Sequence, residues 1–436
     1  MTLSYREAVD ALTERGRFGI SLGLERVARL IAEVGHPERR LRGALVGGTN
    51  GKGSVVAMVR SILSASGLRV GTMPKPHLVS YRERVAIDGE PISAAEFAAA
   101  IERVLPAIDR VAAEIGPPTE FEALTAAAIG ELARRNVDLA VIEVGLGGRL
   151  DATNVLDLGV AAVTNVQRDH EAHLGSTLGA IGREKAAIIK PGNLAVTGAT
   201  GRGLRPILDR CDELGVPLRR VGARQPYRVV VRSSGWDGIV VEARTPHRVL
   251  SELEIGLLGR HQAENAAVAL AVTDALIERW GLVIDETAVR TGMRSVRWPG
   301  RLELLDGTRV GVGRVLLDGA HNPAGAAALA AALADLGLHR PTIVLGIMRG
   351  KRIGDVLRAL APLDPTFVFT RVADPGAREP EELARVWRRV SGRTARTAAT
   401  PAEALAMADG DPIVVAGSLY LVGAVRGMIT GMTEDE

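Results

Sequence analysis

The chain has 436 residues, 47% of them apolar and 24% charged, an ordinary balance for a globular protein but too long for one ordinary core. A net charge of +3, arginines spread along the chain and only 3% aromatic residues argue against a nucleic-acid footprint or stacking platforms for single strands. One cysteine, Cys211, excludes an intrachain disulfide; with a charged N-terminus (Arg6, Glu7, Asp10, Glu14, Arg15, Arg17) and no long apolar run, the expectation is a cytoplasmic protein with neither signal peptide nor membrane span.

Residues 4–35 read as two helices, 4–15 and 24–34, joined by a segment that starts Gly16-Arg17-Phe18-Gly19. The apolar run Leu41 to Val46 then leads into Gly47-Gly48-Thr49-Asn50-Gly51-Lys52-Gly53-Ser54, and a helical run follows from Val55 to Ser66. A strand, a glycine turn and a helix N-terminus form an anion site: backbone N–H groups converge, the helix dipole adds partial positive charge, and lysine and serine supply a cation and a Mg²⁺-reaching hydroxyl. A triphosphate suits it. The spacing departs from the standard P-loop, because Gly47 is too close to Gly51-Lys52 and Gly53 separates the lysine from Ser54.

Leu68 to Met73 reads as a strand running into the irregular Pro74-Lys75-Pro76-His77. Alanine-rich helices follow at 93–115 and 119–135. Strands at 137–144 and 159–166 come next, then a helix at 176–189 and a strand at 193–198. Strands apolar on both faces, alternating with helices, imply a buried parallel sheet. Residues 223–256 look like an antiparallel hairpin, and a helix follows at 261–278. Trp298-Pro299-Gly300 is the linker candidate, beyond which strands near 314–318, 342–347, 366–372 and 412–416 form a second α/β set. The expected architecture is an ATP-type α/β domain over 1–297, with a parallel sheet and a small antiparallel region, then a Rossmann-like domain over 298–436.

Ligands of parallel α/β sheets bind at the carboxyl ends of the strands. Glu143 lies there, before Gly145-Leu146-Gly147-Gly148, and Asp169 and His170 follow the next strand; such groups beside a phosphate loop suit Mg²⁺. His173 reads as an ordinary loop histidine, and Lys185, taken alone, as a solvated helix lysine. Asp318 ends a strand, and Gly319-Ala320-His321-Asn322-Pro323 opens a helix where an anion or ribose can sit. Arg301, just past the linker, could swing onto phosphate.

Together these pieces resemble the bacterial dihydrofolate synthase/folylpolyglutamate synthase enzymes of the Mur ligase superfamily over nearly the whole chain. The matching stretches begin with Gly48 to Ser54, Pro76-His77-Leu78, Tyr81-Arg82-Glu83-Arg84-Val85 and Phe121-Glu122. Glu143 to Asn154, the most specific, is followed by Asp169-His170, Gly182-Arg183-Glu184-Lys185, and His261 with Asn265. Pro299-Gly300-Arg301, Asp318 with Ala320 to Pro323, and Gly417 to Tyr420 complete the series.

The resemblance implies a P-loop Mur-ligase central domain, a Rossmann-like C-terminal domain, and an ATP-dependent amide ligase joining L-glutamate to dihydropteroate or a reduced folate. Gly48, Thr49, Asn50, Gly51, Lys52, Gly53 and Ser54 would hold the phosphates, with Asn265, Arg301, Asp318 and His321 on the nucleotide. Ser54 and Glu143 would hold a first Mg²⁺ and His170 a second, and Lys185 matches a lysine that is carbamylated in the family. Lys52, His170 and Lys185 would serve catalysis, and His77, Arg82, Asp151 and Thr153 would lie along the pterin substrate. A monomer acting on small molecules, without nucleic acid or membrane, is expected. Two positions depart from the family. Lys75 stands where a Mg²⁺-binding serine is usual, which predicts altered metal use, and Gly346 to Arg352 lacks the usual Asp-Lys-Asp. The alternative is a Mur-type ligase acting on another carboxylate or amino acid.

Overall fold

The structure is a computed structural model and describes residues 3–16, 23–372 and 374–433. The connection expected to start at Gly16 lies, beyond that residue, outside the described residues.

Eight strands form the first sheet, in the order 90–91, 86–87, 70–73, 139–143, 43–47, 159–163, 194–197, 218–220. All pairings are parallel except the two at the 86–91 edge. The strand sequences explain why both faces are covered, because successive side chains enter two different cores. Leu45, Ala140, Ile142, Ala161 and Val163 point to one, and Ala44, Val46, Val141, Val160 and Ala162 to the other. The first core is closed by helices that include Ala94–Ile115 and Glu120–Arg134, each started by a capping box, Ser93 with Glu96 and Thr119 with Glu122. The second is closed by Lys52–Ala65, Gln262–Trp280 and Glu286–Ser295.

Six strands form the second sheet, in the order 301–306, 314–318, 413–416, 342–345, 366–370, 396–398. It is parallel except at Arg301–Asp306, and its side chains also alternate between two cores.

Three elements differ from the sequence expectation. The hairpin is a three-stranded sheet, 228–235, 238–244 and 249–255. Its third strand carries Glu252 at a φ of 50°, and an irregular register against the middle strand breaks the period of two that would have revealed it. Glu286–Ser295 is a helix, capped by the Asp285 carboxylate on the Ala288 N–H, where the polar sequence suggested none. Arg301–Asp306 is an edge strand that begins immediately after the proline–glycine pair read as a linker.

The two sheets meet where the helix Leu419–Thr430 crosses the loop before Tyr81. A Cβ on Gly423 would lie 1.8 Å from the Leu78 carbonyl oxygen, a backbone atom with no rotamer to escape into. Gly423→Ala is expected to lower stability by about 1–3 kcal/mol, as overpacking does, measured as a lower urea midpoint. An unchanged midpoint would mean that the halves are not in contact there.

Candidate active site

The glycine turn lies between the central strand Gly43–Gly47 and the helix Lys52–Ala65, and neighbouring strand ends hold it open. Asn50 N–H donates to Asn165 Oδ1 (3.0 Å), Thr164 Oγ1 donates to the Asn50 carbonyl (2.6 Å), and Asn50 Nδ2 donates to Gln167 Oε1 (2.7 Å). These bonds use atoms at the rim of the turn. Gly51 takes φ 81°, and a Cβ there would strike Asn265 Oδ1 at 2.1 Å. Gly53 packs so closely on Trp298 that a Cβ would lie 2.7 Å from its ring. The unusual Gly-Lys-Gly-Ser ending therefore matches an indole from the linker between the two halves.

Glu143 ends the adjacent strand and is buried, with Oε1 4.0 Å from Lys52 Nζ. Its Oε2 is buried without a hydrogen-bond partner. Burial pushes the Glu143 carboxyl above its ordinary value, against the pull of Lys52 and Arg301. An orphaned carboxylate oxygen facing a cleft that buried Ser54 also lines fits a cation, so these two residues suit one Mg²⁺. Lys185 donates to the Gly48 carbonyl (2.8 Å); burial and then Lys52 pull its pKa down to about 7.

The opposite wall comes from the second sheet. Asp318 ends a strand and spends its carboxylate on backbone, accepting from Ala320 N–H (2.9 Å) and Leu302 N–H (3.1 Å). His321 Nδ1 donates to the Gly319 carbonyl (2.8 Å), which turns Nε2 toward Asp169 Oδ2 at 3.4 Å. Asn322 caps the helix Pro323–Asp335, and its Nδ2 bridges Asn50 Oδ1 and Asp169 Oδ2, each at 3.0 Å. Lys351 Nζ donates to Asp169 Oδ1 at 2.7 Å and lies 3.5 Å from His170 Nε2. Burial opposes ionisation of Asp169, but hydrogen bonds from His321 and Lys351 outweigh it and hold the carboxyl well below the usual range. Burial, with Lys351 next, lowers His170 to about 4. A second divalent ion at His170 would share its space with the Lys351 ammonium, so the residues present do not fit a second metal in this arrangement.

The resulting cleft of about 740 Å³ brings together Gly48 to Ser54, Glu143, His170, Lys185, Asn265, Arg301, Asp318 and His321. His173, read as an ordinary loop histidine, also lines it. The residues expected along the pterin fare differently. Asp151 Oδ2 accepts from Leu146 N–H (2.7 Å), and Oδ1 accepts from Thr153 N–H (3.1 Å) and Oγ1 (2.6 Å). Both residues are buried and fold the glycine loop after Glu143; their polar atoms are already used. Arg82 donates to the Ile92 carbonyl (2.8 Å), away from the cleft. Arg84, two residues on, donates instead to His77 Nδ1 (3.0 Å) and keeps a buried NH1 without a partner. Burial and Arg84 lower His77 to about 3, so it is neutral. The sequence assigned no role to Lys351, which lines the cleft, or to Arg84, which does not. An unpaired buried arginine shows only in three dimensions, whereas the basic loop around Lys351 was visible.

The Mur ligase middle domain matches residues 46–273, and the Mur ligase glutamate ligase domain matches residues 300–419. The chain is 32% identical to the dihydrofolate synthase/folylpolyglutamate synthase of Bacillus subtilis, over 88% of this chain and 89% of that one. It is 36% identical to a probable bifunctional folylpolyglutamate synthase/dihydropteroate synthase of Halobacterium salinarum over 97% of its own length, but spans only 51%, about half, of that relative. The structure of Mycobacterium tuberculosis folylpolyglutamate synthase complexed with ADP superposes with a TM-score of 0.90 at 32% identity, covering 98% of each chain. With a middle domain matching more than half its length, a glutamate ligase domain behind it and relatives matched nearly end to end, this chain belongs to the dihydrofolate synthase/folylpolyglutamate synthase family of Mur ligases.

Proposed function

We propose that the chain is an ATP-dependent ligase that joins L-glutamate to the carboxylate of dihydropteroate or a reduced folate. The observation that carries this reading is the convergence of Lys52, Lys185, Arg301 and Lys351 with the glycine turn on one cleft between two sheets. That much positive charge around a helix N-terminus suits a polyphosphate and a transferring phosphoryl group. The split at 297/298 puts the turn on one side and Arg301, Asp318 and His321 on the other, and the cleft runs between them.

A carboxylate is a poor acyl donor. Its oxygen attacks the γ-phosphorus of ATP, ADP leaves, and an acyl phosphate forms. The α-amine of glutamate then attacks the acyl carbon, loses a proton, and phosphate departs with the C–O electron pair. Lys52 and the turn N–H groups hold the phosphates, Asn265 and His321 flank the nucleotide, and Arg301 neutralises charge on the transferring group. Ser54 and Glu143 would hold Mg²⁺, which when bound would supply charge neutralisation on the phosphates. Closure of the two halves keeps water from the acyl phosphate. Among the described residues no helix is long and apolar enough to cross a membrane.

A lysine whose pKa is drawn toward neutrality holds a free amine, the form that takes up CO₂. A carbamate on Lys185 would give Lys52, the charge that most depresses it after burial, an anionic partner. The half-buried lysine at position 75, in the wall of the cleft, favours, as a second reading, the same chemistry on a different carboxylate.

ADP release from ATP, Mg²⁺ and L-glutamate is expected to rise with dihydropteroate or tetrahydrofolate over a control without pterin. If neither pterin stimulates release, the folate assignment is wrong while the ligase fold stands. Lys185→Ala is expected to lose activity by about 10²-fold or more, the scale of one lost electrostatic group in a site of this kind, with partial recovery in small carboxylates. Loss without recovery would count against the carbamate.

A further inference from the structure

Lys75 is the cleft's unexplained cation. It follows the strand Val70–Met73 in the loop to Tyr81, and its half-buried side chain lines the cleft. Its Nζ lies 3.2 Å from the centroid of the Phe121 ring. Among the described residues no carboxylate and no hydrogen-bond acceptor is within bonding distance of it. Of the carboxylates that act on it from farther away, Asp151 is engaged with Leu146 and Thr153, and Glu143 faces Lys52 with Oε1 and keeps Oε2 for the cation argued above. The chain nevertheless makes room for it. A Cβ on Gly145 would lie 2.1 Å from Lys75 Nζ and 2.7 Å from its Cδ.

A ring face compensates a desolvated ammonium only in part, and burial pulls the Lys75 pKa down to about 8. An unpaired, half-buried cation in the wall of a cleft is complementary to an anion that arrives with a ligand. Its position says which anion. The charges that act on it come from the glycine turn (Lys52), the adjacent strand end and the loop after it (Glu143, Asp151) and the 77–85 loop (Arg84). The phosphates already have Lys52, the turn and Arg301. The group that must lie between them and the 77–85 loop is the carboxylate to be phosphorylated.

We propose that Lys75 is the binding residue for the acyl substrate's carboxylate, holding it by a charge-assisted hydrogen bond in line with the γ-phosphoryl group. This rests on the ligase reading above. The ammonium stays with the acyl phosphate, so substrates that lack a carboxylate at this point gain nothing from it.

Lys75→Met keeps the stem on Phe121 and Gly145 and removes the charge. Steady-state ADP release is expected to show the KM for the pterin substrate raised about 10- to 100-fold, the cost of a lost charge-assisted hydrogen bond, with ADP affinity by calorimetry and the Mg²⁺ midpoint unchanged. Lys75→Arg, which keeps the charge, is expected to restore most of the loss, and thermal unfolding of both variants checks that they fold. An unchanged KM in Lys75→Met overturns the proposal. So does a parallel fall in ADP affinity, which would assign the lysine to the phosphates, or a shifted Mg²⁺ midpoint, which would assign it to the metal. Absence of pterin-stimulated turnover in the unsubstituted chain overturns the folate reading, and this proposal with it.

Discussion

One carboxylate ties the two halves of this molecule together. Asp169 leaves the first sheet in the loop after Gly159–Val163 and collects Lys351, Asn322 and His321, all from the second. Its side chain is only 9% exposed, so the ion pair with Lys351 is little screened. Removing one member of such a buried pair leaves the other desolvated and alone, which costs on the order of 3–5 kcal/mol. The same Asn322 amide also holds Asn50 of the glycine turn. The shape of the phosphate loop and the closeness of the two sheets are therefore set by one connected network.

The network also settles where charge can sit. The cleft is rich in cations, and its one orphaned buried oxygen belongs to Glu143. That asymmetry fits a ligand carrying several negative charges, accompanied by one metal rather than two. Lys351 occupies the place where a second ion would meet His170, and it comes from the second half of the chain.

Much of this was legible in the chain itself. The glycine turn, Glu143 at a strand end and Asp318 before a helix N-terminus are local patterns, and the alternating cores follow from strands apolar on both faces. What escaped was set by distance or by backbone detail. Lys351 finds Asp169 across 182 residues, and no local pattern announces that pairing. Arg82 and Arg84 stand two apart in the 3₁₀ turn Tyr81–Arg84, so they do not share a direction: Arg82 turns to the Ile92 carbonyl and Arg84 to His77. Asp151 and Thr153 look like ligands because Asp and Thr bind ligands; the same atoms also close a turn on themselves, and here they do. The third strand of the small sheet hid behind a bulge at Glu252.

The central claim is that the Asp169–Lys351 pair couples the two halves in binding nucleotide. A double-mutant cycle on ADP affinity by calorimetry, with Asp169→Asn, Lys351→Met and both together, tests it most directly. The account predicts strong non-additivity, with a coupling of about 1–3 kcal/mol and the double variant little worse than either single one. Additive losses would contradict it and reduce the pair to two neighbouring charges.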